Sequence, residues 1–119
     1  MTQLAQRECV PCKGGVPPLD QVQIAPLLAQ LAPGWQIVER DDSKHGHVKA
    51  LERAYTFKDF AQAMQAAVRI GEMAEQQRHH PDLHVSWGRL GVEVWTHKIG
   101  GLTESDFVFA AKCDALLSR

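Results

Sequence analysis

Histidines crowd one stretch of this chain, and their spacing suits proton transfer. Four of the six histidines lie between residues 75 and 106, beginning with the adjacent pair His79 and His80. His97 comes later in the stretch, and Asp106 follows a Gly-Gly turn. Imidazole has an unperturbed pKa between pH 5 and 8, so such a cluster beside aromatic rings can exchange protons with a flat ligand. This stretch is therefore the candidate site.

Three helical patterns surround the candidate site. Asp20 is a suitable N-cap for a first helix, which Pro33-Gly34 ends. Helical spacing of apolar residues between 58 and 78 predicts the strongest helix. A capping box from Thr103 to Asp106 begins a third helix, which runs to the end of the chain. The apolar stripe expected to face the core on the second helix consists of Phe60, Met64, Ala67, Val68, Gly71 and Ala74.

Four extended segments lie between these helices. Residues 35–39 and 47–57 flank a polar turn and predict one hairpin, while residues 83–87 and 92–97 predict a second with its turn at 88–91. Two hairpins cannot join into a parallel sheet without crossovers. We therefore expect an α+β fold, in which three helices pack on one face of a four-stranded antiparallel sheet, in the order α-β-β-α-β-β-α.

Length and composition favour one small domain. A chain of 119 residues suits a single core, so residues 17–119 are expected to form one domain and residues 1–16 a loosely ordered segment. A formal net charge of -1 offers no basic surface to nucleic acid. No apolar run approaches the roughly 20 residues of a membrane span, and the first residues do not form a secretory signal. A cytoplasmic location is expected.

Cys9 and Cys12 form a Cys-x-x-Cys pair whose role the sequence leaves open. Such a pair can be a redox motif or half of a zinc site. A second ligand pair is absent, and Cys113 stands alone in a helical pattern. We expect the pair to lie in an exposed or loosely ordered segment, with an adventitious metal or redox role as the alternative.

The residues of the candidate site resemble the motif of the pterin-4a-carbinolamine dehydratase family. The matching positions are Glu75, His79-His80-Pro81, Trp87, Thr96-His97, the Gly-Gly-Leu-Thr turn and Asp106. The resemblance extends over roughly residues 17 to 117. The fold of that family is an antiparallel four-stranded sheet with three helices on one side, which agrees with the arrangement expected from the periodicities.

The resemblance implies a dehydration in which a 4a-hydroxytetrahydropterin loses water to give a quinonoid dihydropterin, as in tetrahydrobiopterin recycling. It implies that the general acid and base groups are His79, His80 and His97. It also implies residues that bind substrate or orient these rings, namely Glu75, Pro81, Trp87 and Asp106. No metal or other cofactor is needed for such chemistry. The expected partner is the pterin itself, within a homodimer or homotetramer.

Two positions depart from the animal members of this family. Leu83 stands where those members often have tryptophan, and Arg78 stands where they have aspartate. Pterin stacking and the local electric field are therefore expected to differ in this chain. Trp95 or Trp87 is the candidate for the ring wall of the pocket, because an aromatic face can stack on a flat ligand, and a structural role in the core is the alternative for either residue.

Other functions stay open at this point. His80 and His84 stand four positions apart and His97 could complete a zinc site, although Pro81 interrupts the helix that such spacing requires. Animal relatives also act as transcriptional dimerisation partners, so a non-catalytic binding module is the other alternative. Asp106 has a structural explanation as a capping residue in addition to a catalytic one.

Overall fold

The computed structural model describes residues 3–10 and 16–118. The main helices are α1 (Gln21–Ala29), α2 (Phe60–Gln77) and α3 (Glu104–Leu117). The strands are β1 (Gln36–Asp42), β2 (Gly46–Thr56), β3 (Asp82–Ser86) and β4 (Arg89–Val94). These strands form one antiparallel sheet in the order β1-β2-β4-β3. The predicted α+β fold with the order α-β-β-α-β-β-α is confirmed.

The two faces of the sheet differ in polarity. On the inner face, Leu51 of β2 lies opposite Val94 of β4, and both are fully buried beneath the helices. On the outer face, Arg40 bridges the carboxylates of Glu52 and Glu93 at 2.7 and 3.1 Å. Along β4, the alternation of buried Leu90, Val92 and Val94 with less buried residues therefore shows which face the helices cover. No helix in residues 3–10 or 16–118 is long and apolar enough to cross a membrane.

The apolar stripe predicted to face the core on α2 is correct for Ala67 and Ala74, which are buried, and wrong for its three largest members. Phe60, Met64 and Val68 are 46%, 40% and 55% exposed. The buried face of α2 consists of Ala63, Ala66, Ala67, Ile70 and Ala74. Close packing of α2 on the sheet favours small side chains at the contact, so the alanine-rich face turns inward and the larger residues remain outside. We call Phe60, Met64 and Val68 the exposed stripe.

The second hairpin turns earlier than the sequence predicted. β3 and β4 are joined by Trp87 and Gly88, not by residues 88–91. Gly88 has a φ of 70°, which glycine adopts without strain in a two-residue hairpin turn. β4 ends at Val94, so residues 95–97 lie in the following loop and not in the strand as expected.

Part of the N-terminal segment packs against α3. Leu4 is buried, the Lys112 ammonium donates a hydrogen bond to the Ala5 carbonyl at 2.9 Å, and Arg7 forms an ion pair with Glu104. Residues 4, 5 and 7 of this segment therefore contact α3 or the core in the structure. A single buried leucine and a few polar contacts are tertiary features with no local sequence signal.

The Cys-x-x-Cys pair is only partly described by the structure. Cys9 is half-buried, and its thiol donates to the Ser105 carbonyl at 3.6 Å. Cys12 lies outside the described residues, so the role of the pair stays open. The division into residues 1–16 and a domain at 17–119 likewise stays a prediction.

Asp114 connects α3 to the first hairpin. Its carboxylate accepts hydrogen bonds from Trp35 Nε1 at 2.8 Å, Arg53 Nη1 at 2.7 Å and the Tyr55 hydroxyl at 2.6 Å. Burial, followed by the hydrogen bond to Asp114, raises the pKa of Tyr55 above its ordinary value, so the phenol stays protonated and donates. This cluster fixes α3 against β2, and α3 in turn carries part of the candidate site.

Replacement of Asp114 by alanine should therefore destabilise the whole domain. Three donors would lose their charged acceptor, and we expect the Asp114→Ala change to lower the free energy of unfolding by about 2–4 kcal/mol. Urea denaturation followed by circular dichroism measures this loss. Asp41→Ala, at an exposed position, is the matched control and should change stability by no more than about 0.5 kcal/mol. Equal losses in the two variants would contradict the role assigned to Asp114.

Candidate active site

A pocket with a volume of about 470 Å³ opens beside the C-terminal end of α2. It is lined by Val10, Arg78, His79, His80, Trp95, Thr96, His97 and Lys98. The structure thus brings together the three histidines predicted to carry catalysis. The predicted orienting residues Glu75, Pro81, Trp87 and Asp106 do not line this pocket, although two of them contact histidines that do.

His79 is held by a buried carboxylate. Its Nε2 lies 2.6 Å from Oδ1 of Asp106, whose side chain is 0% exposed. The other oxygen of Asp106 accepts from the Thr96 hydroxyl at 2.9 Å and from the Thr103 backbone N–H at 2.8 Å. An ionised carboxylate can only accept, so His79 carries hydrogen on Nε2 and, when neutral, has its lone pair on Nδ1. Nδ1 is then the nitrogen available for proton exchange.

His80 repeats this pairing at the surface. Its Nε2 lies 2.5 Å from Oε2 of Glu75, and the two side chains are 62% and 78% exposed. α2 ends at Gln77 with Arg78 as its C-cap, and Pro81 disfavours helical angles at His80, so the helix does not resume there. The adjacent histidines therefore have carboxylate partners in different environments, one inside the protein and one in solvent.

His97 lies in the loop after β4, with its ring stacked on Trp95. The ring centroids are 3.9 Å apart and the planes differ by 17°. Within the described part of the chain, neither ring nitrogen of His97 has a hydrogen-bond partner. Stacking therefore restricts the ring plane while both nitrogens stay available to a ligand.

The glycine turn after His97 fixes the shape of this loop. The Thr96 N–H donates to the Gly101 carbonyl at 2.9 Å, and the Gly100 N–H donates to the Thr96 carbonyl at 2.9 Å. Gly100 has a φ of 77°, and a Cβ atom there would lie 2.5 Å from the His45 ring. Only glycine fits both the conformation and the space, so the loop closes tightly beside the pocket.

Trp95, and not Trp87, is the tryptophan of the pocket wall. Trp87 lies in the turn between β3 and β4 and is 74% exposed. Trp95 is buried and also meets the His45 ring edge-on, with ring centroids 6.4 Å apart. The sequence offered both tryptophans as candidates, and only the tertiary arrangement distinguishes them.

The remaining histidines lie outside the pocket. His84 is exposed on β3. His47 is exposed in the first hairpin, where a hydrogen bond to Asp41 and the charge of Glu39 raise its pKa. The zinc hypothesis required His84 beside His80 and His97, but His84 does not line the pocket that those two histidines line. Among residues 3–10 and 16–118, no group of three or more His, Cys, Asp or Glu side chains is placed to hold a metal.

Three lining residues were not predicted as site residues, although Arg78 was noted as a departure from the family pattern. Arg78 precedes His79 and Lys98 follows His97 along the chain, so adjacency to the predicted histidines was an available signal. Val10 is different, because it reaches the pocket from the N-terminal segment. The Ser105 hydroxyl accepts from the Val10 N–H at 2.9 Å, a contact that no local pattern could predict.

The two histidine–carboxylate pairs offer a direct comparison of buried and exposed contacts. Asp106→Ala removes the acceptor of three donors and should lower the free energy of unfolding by about 2–4 kcal/mol. Glu75→Ala removes a similar bond in solvent and should cost less than about 1 kcal/mol. Both values can be measured by urea denaturation. If Asp106→Ala were no more costly than Glu75→Ala, the carboxylate would not organise the site as described.

Comparison with known proteins links this geometry to a family. The family model described as Pterin 4 alpha carbinolamine dehydratase matches residues 17–116. A Rubrobacter xylanophilus protein provisionally named as a pterin-4-alpha-carbinolamine dehydratase is 53% identical over 116 residues, covering 98% of this chain and 100% of that protein. A Rickettsia canadensis protein with the same provisional name is 48% identical over 115 residues, covering 97% and 98%.

A solved structure resembles the fold. The crystal structure of a transcriptional coactivator/pterin dehydratase from Brucella melitensis matches with a TM-score of 0.69 and 31% sequence identity. The match covers 83% of this chain and 97% of that one. The similarity therefore includes almost the whole of the neighbouring structure.

Proposed function

This chain belongs to the pterin-4a-carbinolamine dehydratase family of hydro-lyases, and on that premise we propose that its pocket dehydrates a 4a-hydroxytetrahydropterin to a quinonoid dihydropterin. The observation that carries this proposal is the meeting of His79, His80 and His97 at one pocket. Recycling of a tetrahydropterin after a hydroxylation reaction is the metabolic role that we propose for it.

The reaction requires one proton donor and one proton acceptor. A general acid protonates the 4a-hydroxyl, and the lone pair of the neighbouring ring nitrogen forms a C=N bond as the C–O bond breaks and water leaves. A general base then takes the proton of that nitrogen. Imidazole can serve in both roles near neutral pH, and positioned groups of this kind contribute typically about 10²–10⁴-fold in rate.

The contacts of the three histidines fit these roles. Asp106 and Glu75 each occupy one ring nitrogen of a histidine, so His79 and His80 exchange protons through Nδ1. His97 has both nitrogens available and a ring plane set by Trp95. A pocket of about 470 Å³ lies within the range of small-molecule sites, and Trp95 contributes apolar surface to its wall. In this proposal the substrate lies among three imidazoles.

Kinetics of the dehydration test the proposal. The wild type should accelerate loss of water from a 4a-hydroxytetrahydropterin over buffer, and His79→Ala, His80→Ala and His97→Ala should each reduce kcat/KM by about 10²–10⁴-fold. The reaction can be followed by stopped-flow absorbance. His84→Ala, on exposed β3, is the matched control and should retain the wild-type rate.

The outcomes separate catalysis from binding alone. A wild type without acceleration over buffer would overturn the dehydratase proposal and leave the non-catalytic binding module. The pH profiles of the slow variants assign the roles, because loss of a base removes the acidic limb of the rate profile and loss of an acid removes the alkaline limb.

We also propose that the protein is a homodimer or homotetramer whose copies meet through α2. The exposed stripe recurs every four residues, so its three apolar side chains lie on one side of the helix over two turns. Contiguous exposed apolar surface of this kind marks contact sites, and a second copy can offer the same stripe across a two-fold axis. Such a contact would bury the side chains that the sheet leaves outside.

Introducing a charge into the exposed stripe should break the oligomer. The wild type should elute with a mass that is two or four times the 13.2 kDa of the chain, measured by light scattering during size exclusion. Val68→Glu should shift the mass towards the monomer, because the interface would bury an unpaired charge. Val22→Glu on α1 is the control at an isolated exposed valine. A monomeric wild type would contradict the proposal.

A further inference from the structure

We propose that the pocket prefers a pterin whose side chain ends in an anionic group, phosphate or carboxylate, and that Arg78 and Lys98 recognise this group. The inference depends on the proposed function, since it names the substrate class of the same pocket. Its basis is the charge of the lining residues and the backbone conformation of one of them.

Two cations line the pocket on either side of the histidines. Arg78 directly precedes His79, and Lys98 directly follows His97. Within the described parts of the chain, neither cationic side chain has a hydrogen bond or an ion pair. The carboxylates nearest to the lining histidines are already engaged, Asp106 with His79 and Glu75 with His80. Both side chains are exposed, so their positive charge is accessible to a ligand in the pocket.

The backbone conformation of Arg78 is unusual for an arginine. Arg78 is the C-cap of α2 with a φ of 54°, and it is the one non-glycine residue with positive φ among the residues described. Glycine or asparagine usually occupies such a left-handed cap, because other side chains are strained there. An unusual residue in a strained conformation beside a pocket is the kind of outlier from which function can be inferred.

A structural explanation exists for one of the cations only. A cation near a helix C-terminus interacts favourably with the helix dipole, which could account for Arg78. Lys98 is exposed in the loop after β4, away from any helix C-terminus. A reduced pterin ring is uncharged near neutral pH, so the ring itself requires neither cation. An anionic substituent would use both, because the guanidinium fork and the ammonium bind phosphate and carboxylate oxygens.

Binding of matched ligands tests the preference. The probes are 6-hydroxymethyl-7,8-dihydropterin, its phosphate monoester and 7,8-dihydropterin-6-carboxylate, with dissociation constants measured by isothermal titration calorimetry. We expect at least one anionic probe to bind about tenfold more tightly than the neutral one, with the advantage falling as salt is added. The probe whose affinity exceeds that of the neutral pterin shows whether the pocket prefers phosphate or carboxylate. Equal or weaker binding of both anionic probes would overturn the inference.

Variants then attribute the preference to the two cations. Arg78→Asn keeps a residue that tolerates the left-handed cap, and Lys98→Gln keeps much of the side-chain length. Each should reduce the ratio of neutral to anionic dissociation constants several-fold, and the double variant should bring it close to one. The control is Lys58→Gln, which removes an exposed charge just before the N-terminus of α2. The 18 residues of α2 span about 27 Å, so this change is remote from the pocket and should leave the ratio unchanged.

The result is independent of the dehydratase assay. If Arg78 were purely structural, Arg78→Asn would change stability but not the ratio of dissociation constants. If the double variant kept the wild-type ratio, the inference would be overturned. If the protein accelerates dehydration of a neutral carbinolamine but shows no preference for anionic pterins, the proposed function stands and the proposed substrate class is wrong. Absence of acceleration for any carbinolamine would remove the proposed function instead.

Discussion

The site depends on one buried carboxylate. Asp106 is fully buried, and burial of a charge is costly unless hydrogen bonds replace its hydration. Thr103 and Thr96 supply such bonds to one oxygen, and His79 binds the other. These donors come from the first turn of α3, the loop after β4 and the corner after α2. Loss of any of these hydrogen bonds would leave the buried carboxylate less well solvated, which is unfavourable. The carboxylate therefore holds the three segments together around the pocket.

The corner after α2 gives two adjacent imidazoles different surroundings. The left-handed Arg78 ends the helix, and its N–H donates to the carbonyls of Ala74 and Glu75. His79 then reaches the buried Asp106, whereas His80 is paired with an exposed carboxylate. A buried bond restricts a ring more than a bond that competes with water. The corner thus provides one fixed imidazole and one that can adjust to a ligand.

Local signals predicted more of this molecule than non-local ones. The capping box from Thr103 to Asp106 depends on neighbouring residues only, and α3 begins there as expected. The turn of the second hairpin was misplaced because two glycines competed for it, and the burial of Leu90 against the helices decides between them. The three pocket histidines followed from their clustering in the sequence and from the resemblance to the family motif. Trp95 and Val10 enter the pocket through packing between segments distant in sequence, which periodicity does not encode.

The first turn of α3 binds the N-terminal segment as well as His79. Ser105, next to the buried aspartate, accepts from the Val10 N–H at 2.9 Å and donates to the Val10 carbonyl at 3.3 Å. The same turn therefore fixes a histidine through one side chain and a wall of the pocket through the next. Asp114 anchors the other end of α3 to the first hairpin. Since both ends of the helix are held by polar contacts, the pocket geometry is coupled to the packing of α3 as a rigid unit.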